Sequence, residues 1–299
     1  MPGTPSVPPH GNRWFHRRVA IPAALAVAVL TVPAVSPASS APSVSSVSSA
    51  PAPSAVAAQP RHTPKPTVVL VHGAFADSSG WSEVVARLRH DGYPVIAAAN
   101  PLRGLDSDAA YVSSLLDSIP GPVILVGHSY GGEVITNAAV GHANVKALVY
   151  IAAFAPDQGE SGLALVGLHP GSQLGEALVV RPYAVAGGGG ADGYVDPAKF
   201  RSVMAADLRR SDTELLAAQQ RPVDLAALQA PSGEPAWRTI PSWYLVAGSD
   251  RAIPAATEKF MARRAAAHTV VVDDASHLVM LSHPGRVENL IVQAAKATD

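Results

Sequence analysis

The chain has 299 residues, 48% of them hydrophobic and 15% charged, and 22 lysines and arginines against 23 aspartates and glutamates leave a net charge of -1. That balance suits a soluble globular enzyme and excludes the broad basic surface that nucleic-acid binding requires. Cysteine is absent, which excludes disulfide bracing, a thiol nucleophile and a thiol-borne lipid anchor.

The first element in chain order is a targeting segment. Arg13, His16, Arg17 and Arg18 precede an uncharged apolar stretch over 19–35, followed by small residues such as Ala38, Ser40 and Ala41. A positive start, an apolar middle and a small-residue cleavage zone read as a secretory signal over 1–41, so a secreted protein without stable membrane association after cleavage is expected. The rival is an uncleaved membrane anchor, but the stretch is short for a span and carries Pro22 and Pro33. Residues 19–21 match a twin-arginine signal poorly, which leaves the export route open. Residues 42–66 are dominated by Pro, Ala, Ser and Val. Such a stretch has no large side chains to bury, so an extended linker is expected. Residues 67–299 are enough for one substantial domain.

Within that domain, apolar β-rich runs alternate with helical patterns, the signature of a mostly parallel sheet covered by helices on both faces. Six strands are expected over 67–71, 93–97, 123–126, 145–151, 242–246 and 268–272. Helices are expected over 81–90, 106–119, 130–140, 254–264 and 284–296. The rhythm breaks between residues 151 and 242, too long an interval for an ordinary crossover, so a small helical cap is expected over about 156–238. Helices at 197–207 and 212–220 fit that cap, and the glycine run 187–190 reads as a surface loop.

Strands of a parallel sheet deliver their carboxyl ends to one edge. After the first strand come His72, Gly73 and Ala74; after the third, Gly127-His128-Ser129-Tyr130-Gly131; after the fifth, Gly248-Ser249-Asp250; after the sixth, Asp273 to His277. The G-x-S-x-G pattern sits between an apolar run and a helical stretch, which exposes Ser129 on a sharp corner. A serine hydroxyl is a useful nucleophile only beside a base and an oxyanion site, and the edge supplies a serine, an acid and a histidine in that chain order. Asp157, Asp273 and Asp274 compete with Asp250 for the acid, and His283 competes with His277 for the base. His72 and His128 lie near the site without the carboxylates and histidines at ligand spacing that a metal needs, so they read as packing residues and no metal or cofactor is expected. Phe75, Trp81, Tyr130 and Phe154 are candidates to line a substrate pocket, with Met204, Leu208 and Leu215 facing it from the cap.

On these residues the chain resembles an α/β-hydrolase over nearly everything from Thr67 onward. The His72-Gly73-Ala74 loop, Trp81 and the run Gly127 to Gly132 resemble the branch of small carboxylesterases and hydroxynitrile lyases. The resemblance implies Ser129 as nucleophile, His277 as general base, Asp250 as the residue that orients it, and the backbone amides of Ala74 and Tyr130 as the oxyanion hole. Dehalogenases and epoxide hydrolases of this fold use an aspartate at the corner, which Ser129 excludes. Hydroxynitrile lyases of the branch carry threonine where Gly73 stands and lysine where Leu278 stands, so hydrolysis of small to medium uncharged esters is the expected activity. Perhydrolase-type acyl transfer uses the same triad, and a ligand-binding homologue without turnover is the remaining class. Oligomeric state does not follow from the sequence.

Overall fold

The computed structural model describes residues 64–185 and 188–298, so the expected signal and most of the expected linker lie outside the described residues. β1 (Thr67–Val71) leads through a 3-10 turn into α1 (Ser82–His90), followed by β2 (Val95–Ala98), α2 (Leu105–Asp117), β3 (Val123–Ser129), α3 (Tyr130–Ala138) and β4 (Val145–Ala153). An insertion then carries α4 (Gly162–Val166), α5 (Leu174–Ala177), β5 (Leu178–Val185), β6 (Gly188–Val195), α6 (Pro197–Met204), α7 (Arg210–Gln219), β7 (Val223–Asp224) and α8 (Leu225–Gln229). The alternation resumes with β8 (Ser242–Ala247), α9 (Ala255–Arg264), β9 (His268–Val272), α10 (Val279–Ser282) and α11 (Pro284–Ala297).

The main sheet has the order β2-β1-β3-β4-β8-β9 with every pair parallel. Every residue of β3 and β8 is buried, so helices cover both faces, and this is why those strands read as unbroken apolar runs rather than alternating ones. The edge strand β9 instead exposes His268 and Thr269, where polar side chains deter pairing with another sheet. The strand order reverses between β1 and β3, and a crevice opens at the carboxyl ends of strands at such a switch point.

The insertion differs from a purely helical cap. It contains its helices and also a three-stranded antiparallel sheet, β5-β6-β7, in which Gly188, Gly189 and Gly190 pair with Val185, Ala184 and Tyr183. The glycine run expected as a surface loop is therefore strand from Gly188 onward. A Cβ on Gly189 would lie 2.5 Å from the Tyr183 carbonyl oxygen, so close backbone approach, not intrinsic strand preference, selects glycine there. Pro182 sits on β5, the edge strand of this sheet, where its missing N–H costs least. α6 ends at Met204 rather than continuing to residue 207, and the freed turn carries Asp207.

Candidate active site

Ser129 ends β3 and begins α3 with φ 53° and ψ −125°, a left-handed conformation that costs a residue with a Cβ of order 1–3 kcal/mol. Tight packing imposes it. A Cβ on Gly131 would meet the Val71 carbonyl at 2.5 Å, and one on Gly132 would meet the Phe154 carbonyl at 2.4 Å. The corner is thus wedged between the ends of β1 and β4, and the serine points out of it.

Two loops bring partners to it. The Nε2 atom of His277, five residues beyond β9, lies 2.9 Å from Ser129 Oγ, and Nδ1 lies 2.6 Å from Asp250 Oδ2. Asp250 Oδ1 accepts from the amides of Ala252 at 2.6 Å and Ile253 at 2.9 Å. Those bonds aim the remaining carboxyl oxygen at the imidazole and set Nδ1–H as donor. Ser129 is 6% exposed and His277 1%. The competing residues are engaged elsewhere: Asp157 accepts from Arg238, His283 sits between Ser282 and Asp274, and the Asp273 carbonyl holds Ser249.

Behind Ser129, His277 and Asp250 sits a second carboxyl group. Glu258 on α9 is fully buried, and its Oε2 accepts from the Ala247 amide at 3.2 Å while Oε1 has no hydrogen bond of standard geometry. Burial first, and then the charge of neighbouring Asp250, pushes its pKa well above the usual glutamate range. Both causes favour the neutral form of the group, and the oxygen that the Ala247 amide leaves free is the one available to carry a proton.

The two histidines near the corner are braces. His72 Nε2 accepts from the Asn100 amide at 3.0 Å, so its Nδ1–H faces the Gly73 carbonyl, also at 3.0 Å. His128 donates from Nε2 to the carbonyl of His277 at 3.0 Å. Burial lowers the pKa of both, that of His128 by far the more, which keeps the rings neutral beside His277. Among the described residues no group of His, Asp and Glu is placed to hold a metal ion.

A cavity opens over Ser129. Ala74 and Tyr130 border it, with Phe75 and Phe154; Met204, Leu163, Val166, Leu178 and Leu228 come from the insertion, and Ile253 from the loop after β8. The Ala74 amide donates to no acceptor among the described residues, and the Tyr130 amide is the first of α3, where a helix leaves N–H groups free and partly positive. Apart from Ser129 and His277 the lining side chains are apolar, except for Tyr130, whose hydroxyl is turned away to donate to Asp108 at 2.9 Å.

Three expectations about the pocket need correction. Trp81 is fully buried with its ring edge-on to His128 at 6.3 Å, so it supports the floor of the site and does not line the cavity. Leu215 is 63% exposed, and Leu208 packs against the core outside the cavity. The wall residues from α4, β5 and α8 went unseen because short helices inside an insertion carry too few turns to show a periodic face.

A family model described as "Alpha/beta hydrolase family" matches residues 68–290. The alpha/beta hydrolase nvfD of Aspergillus novofumigatus is 27% identical over 253 residues, covering 77% of this chain and 97% of that protein. A carbendazim hydrolyzing esterase from a Nocardioides species is 35% identical over 111 residues, a local match to 33% of this chain and 46% of the esterase. The crystal structure of polyneuridine aldehyde esterase superposes with a TM-score of 0.66 at 21% identity, covering 77% of this chain and 98% of that one. At that identity the superposition speaks for the fold.

Proposed function

The chain belongs to the alpha/beta hydrolase family, and from that premise we propose that it is a serine carboxylesterase acting on small to medium uncharged esters. The observation that carries this reading is the continuous line from Asp250 through His277 to Ser129 Oγ, with bonds of 2.6 and 2.9 Å, at the mouth of an apolar cavity. The hydroxyl attacks the ester carbonyl while His277 Nε2 takes its proton, and the Asp250 carboxylate holds the imidazolium in place. The amides of Ala74 and Tyr130 receive the oxyanion; losing one such donor typically costs about 10²–10³-fold in rate. His277 returns the proton to the leaving alcohol, and water then cleaves the acyl-enzyme by the same route. The name of the Nocardioides relative, an esterase, supports the same class of reaction.

The geometry speaks against cyanohydrin cleavage. A Cβ on Gly73 would lie 2.6 Å from the Cβ of Ser129 and 2.8 Å from the His128 carbonyl, so a threonine there would displace the serine. Leu278, directly after His277, is buried and apolar, which leaves no cation beside the base. Acyl transfer to peroxide would proceed from the same acyl-enzyme and differ only in the acceptor.

The test is a series of p-nitrophenyl esters of increasing acyl length on wild type and Ser129→Ala, with labelling by a serine-directed phosphonate. Wild type should hydrolyse the esters and take up one phosphonate, and Ser129→Ala should lose about a thousandfold or more in kcat and stay unlabelled. Activity that survives the substitution overturns the mechanism. A wild type that neither hydrolyses nor labels identifies a binding homologue.

A further inference from the structure

His277 lies on the loop after β9, and the residues on both sides of it are tied to the inserted cap. The Ser276 amide donates to Asp207 Oδ2 at 3.1 Å, and its hydroxyl donates to Asp207 Oδ1. The Leu278 amide donates to the Met204 carbonyl at 3.0 Å, and Ser276 Oγ lies 3.4 Å from that same oxygen. Ser276 and Leu278 are buried, so the donors of these bonds are withdrawn from water, while the Asp207 carboxylate that accepts two of them keeps part of its surface in solvent.

The turn that supplies the acceptors is itself braced. Arg201 donates from Nη2 to the Ala206 carbonyl at 2.9 Å and from Nε to the Leu208 carbonyl at 3.3 Å, closing the chain around Asp207. Burial acts against ionisation of Asp207, but the hydrogen bonds from Ser276, together with those from Ser282 and the local backbone, outweigh it and hold the carboxyl below its ordinary range. Core contacts are different in kind: from that side, His128 fixes the carbonyl of His277. The imidazole is therefore set by three backbone anchors, one from the sheet edge and two from the cap. The cap residue that accepts from Leu278, Met204, also sends its side chain into the catalytic cavity.

We propose that Asp207 is a positioning residue for His277, acting through Ser276 so that the docked cap, and not the sheet alone, sets the 2.9 Å approach of the imidazole to Ser129. This rests on the serine-hydrolase reading. Attack needs the base within hydrogen-bond reach, and a displacement of about 1 Å can cost on the order of 100-fold in rate. Cap and chemistry are thereby linked: a substrate that packs on Met204 presses on the segment that holds the base. An ester too small to reach Met204 adds no such pressure and leaves the base to these anchors alone.

The experiment compares the full chain with Asp207→Ala, Asp207→Asn and Ser276→Ala. Each is labelled to completion with the phosphonate to count intact sites, and kcat and KM for p-nitrophenyl acetate are then expressed per labelled site. Counting sites removes any contribution from unfolded protein, which a merely structural role would produce. Expected is a fall in kcat of roughly 10–100-fold for Asp207→Ala with KM within about twofold, and smaller falls for Ser276→Ala, which keeps the amide bond, and for Asp207→Asn, which keeps one acceptor. A kcat per site within about twofold of wild type in Asp207→Ala overturns the proposal, as does a rise in KM alone. If Asp207→Ala does not fold, unchanged kcat per site in both milder variants overturns it equally. A wild type that takes no label overturns the serine reading and this proposal with it, whereas a labelled wild type with unaffected variants overturns this proposal alone.

Discussion

At the residue scale, Glu258 is a buried carboxyl placed next to Asp250, and on the proposed mechanism it bears on the charge that faces His277. Its Oε1 is an orphan beside Asp250, and a neutral carboxyl there is a hydrogen-bond donor to the carboxylate that orients His277. Its titratable neighbours are Asp250, Tyr244 on β8 and Lys259 on its own helix. Glu258→Gln keeps a donor and adds no charge, so the acid limb of the kcat/KM profile should stay in place. Glu258→Met removes the donor, concentrates the charge of Asp250 and should move that limb to higher pH; an ionised Glu258 would instead make the Gln variant's limb move to lower pH. Stability gives a second readout. A carboxyl whose folded pKa lies above its unfolded value binds more protons when folded, so its contribution falls as pH rises past the ordinary glutamate pKa of about 4.3. Thermal unfolding of Glu258→Gln should therefore gain on wild type between about pH 5 and 7, and a constant difference would refute the neutral assignment. The role of this carboxyl is invisible in the sequence, where Glu258 is the single acid of α9 and reads as an ordinary first-turn helix residue. Ser129 was legible because its corner is local chemistry, glycine beside serine between a strand and a helix.

At the scale of elements, the insertion is held at its root by an ion pair of good geometry. Arg264, in the last turn of α9, donates through both terminal nitrogens to the two oxygens of Glu160 at 2.7 Å and to the Ala155 carbonyl at 3.0 Å. Its guanidinium also lies over the rings of Phe260 at 5.0 Å and Trp237 at 5.7 Å. Such a bidentate, partly enclosed pair is worth more than an exposed one, and Arg264→Met should cost about 2 kcal/mol, or roughly 4–8 °C in Tm. Burial alone would raise the pKa of Glu160, but Arg264 more than offsets it and holds the carboxyl below its usual range. Its contribution is thus present above the unfolded pKa and lost as pH falls, so the gap in Tm between wild type and variant should close as pH drops below about 4. The six parallel strands were readable at this scale because burial on both faces writes itself as apolar runs. The hairpin β5–β6 was not, because Pro182 and the glycines Gly188 to Gly190 carry no strand preference, and only pairing across the hairpin makes them strands.

For the whole molecule, the region preceding the folded domain carries its own expectation. We propose that the chain is exported and cut near residue 41, on the strength of the basic start, the apolar middle and the small residues that follow. Intact mass of the protein recovered from the culture medium should correspond to a chain starting within a few residues of position 42. Full-length protein retained with the membranes would overturn this. No helix among the described residues is long and apolar enough to cross a membrane.

By itself the sequence determined the alternation of strands and helices, the serine corner, and the order in which serine, acid and histidine reach one edge of the sheet. These follow from contacts between near neighbours and from the rule that parallel strands share a carboxyl edge. The resemblance pointed to Asp250 and His277, but the residues by themselves left rivals open; only the tertiary structure brings the imidazole of His277 to Ser129 and the carboxylate of Asp250 to His277, because the histidine is 148 positions from the serine and its placement depends on closing every loop between them. It also decided the walls of the cavity, the fold of the glycine run, the burial that raises the pKa of Glu258 and the grip of Asp207 on the loop of His277. Each of these depends on burial or on a partner distant in sequence, and neither is present until the cap has packed onto the sheet.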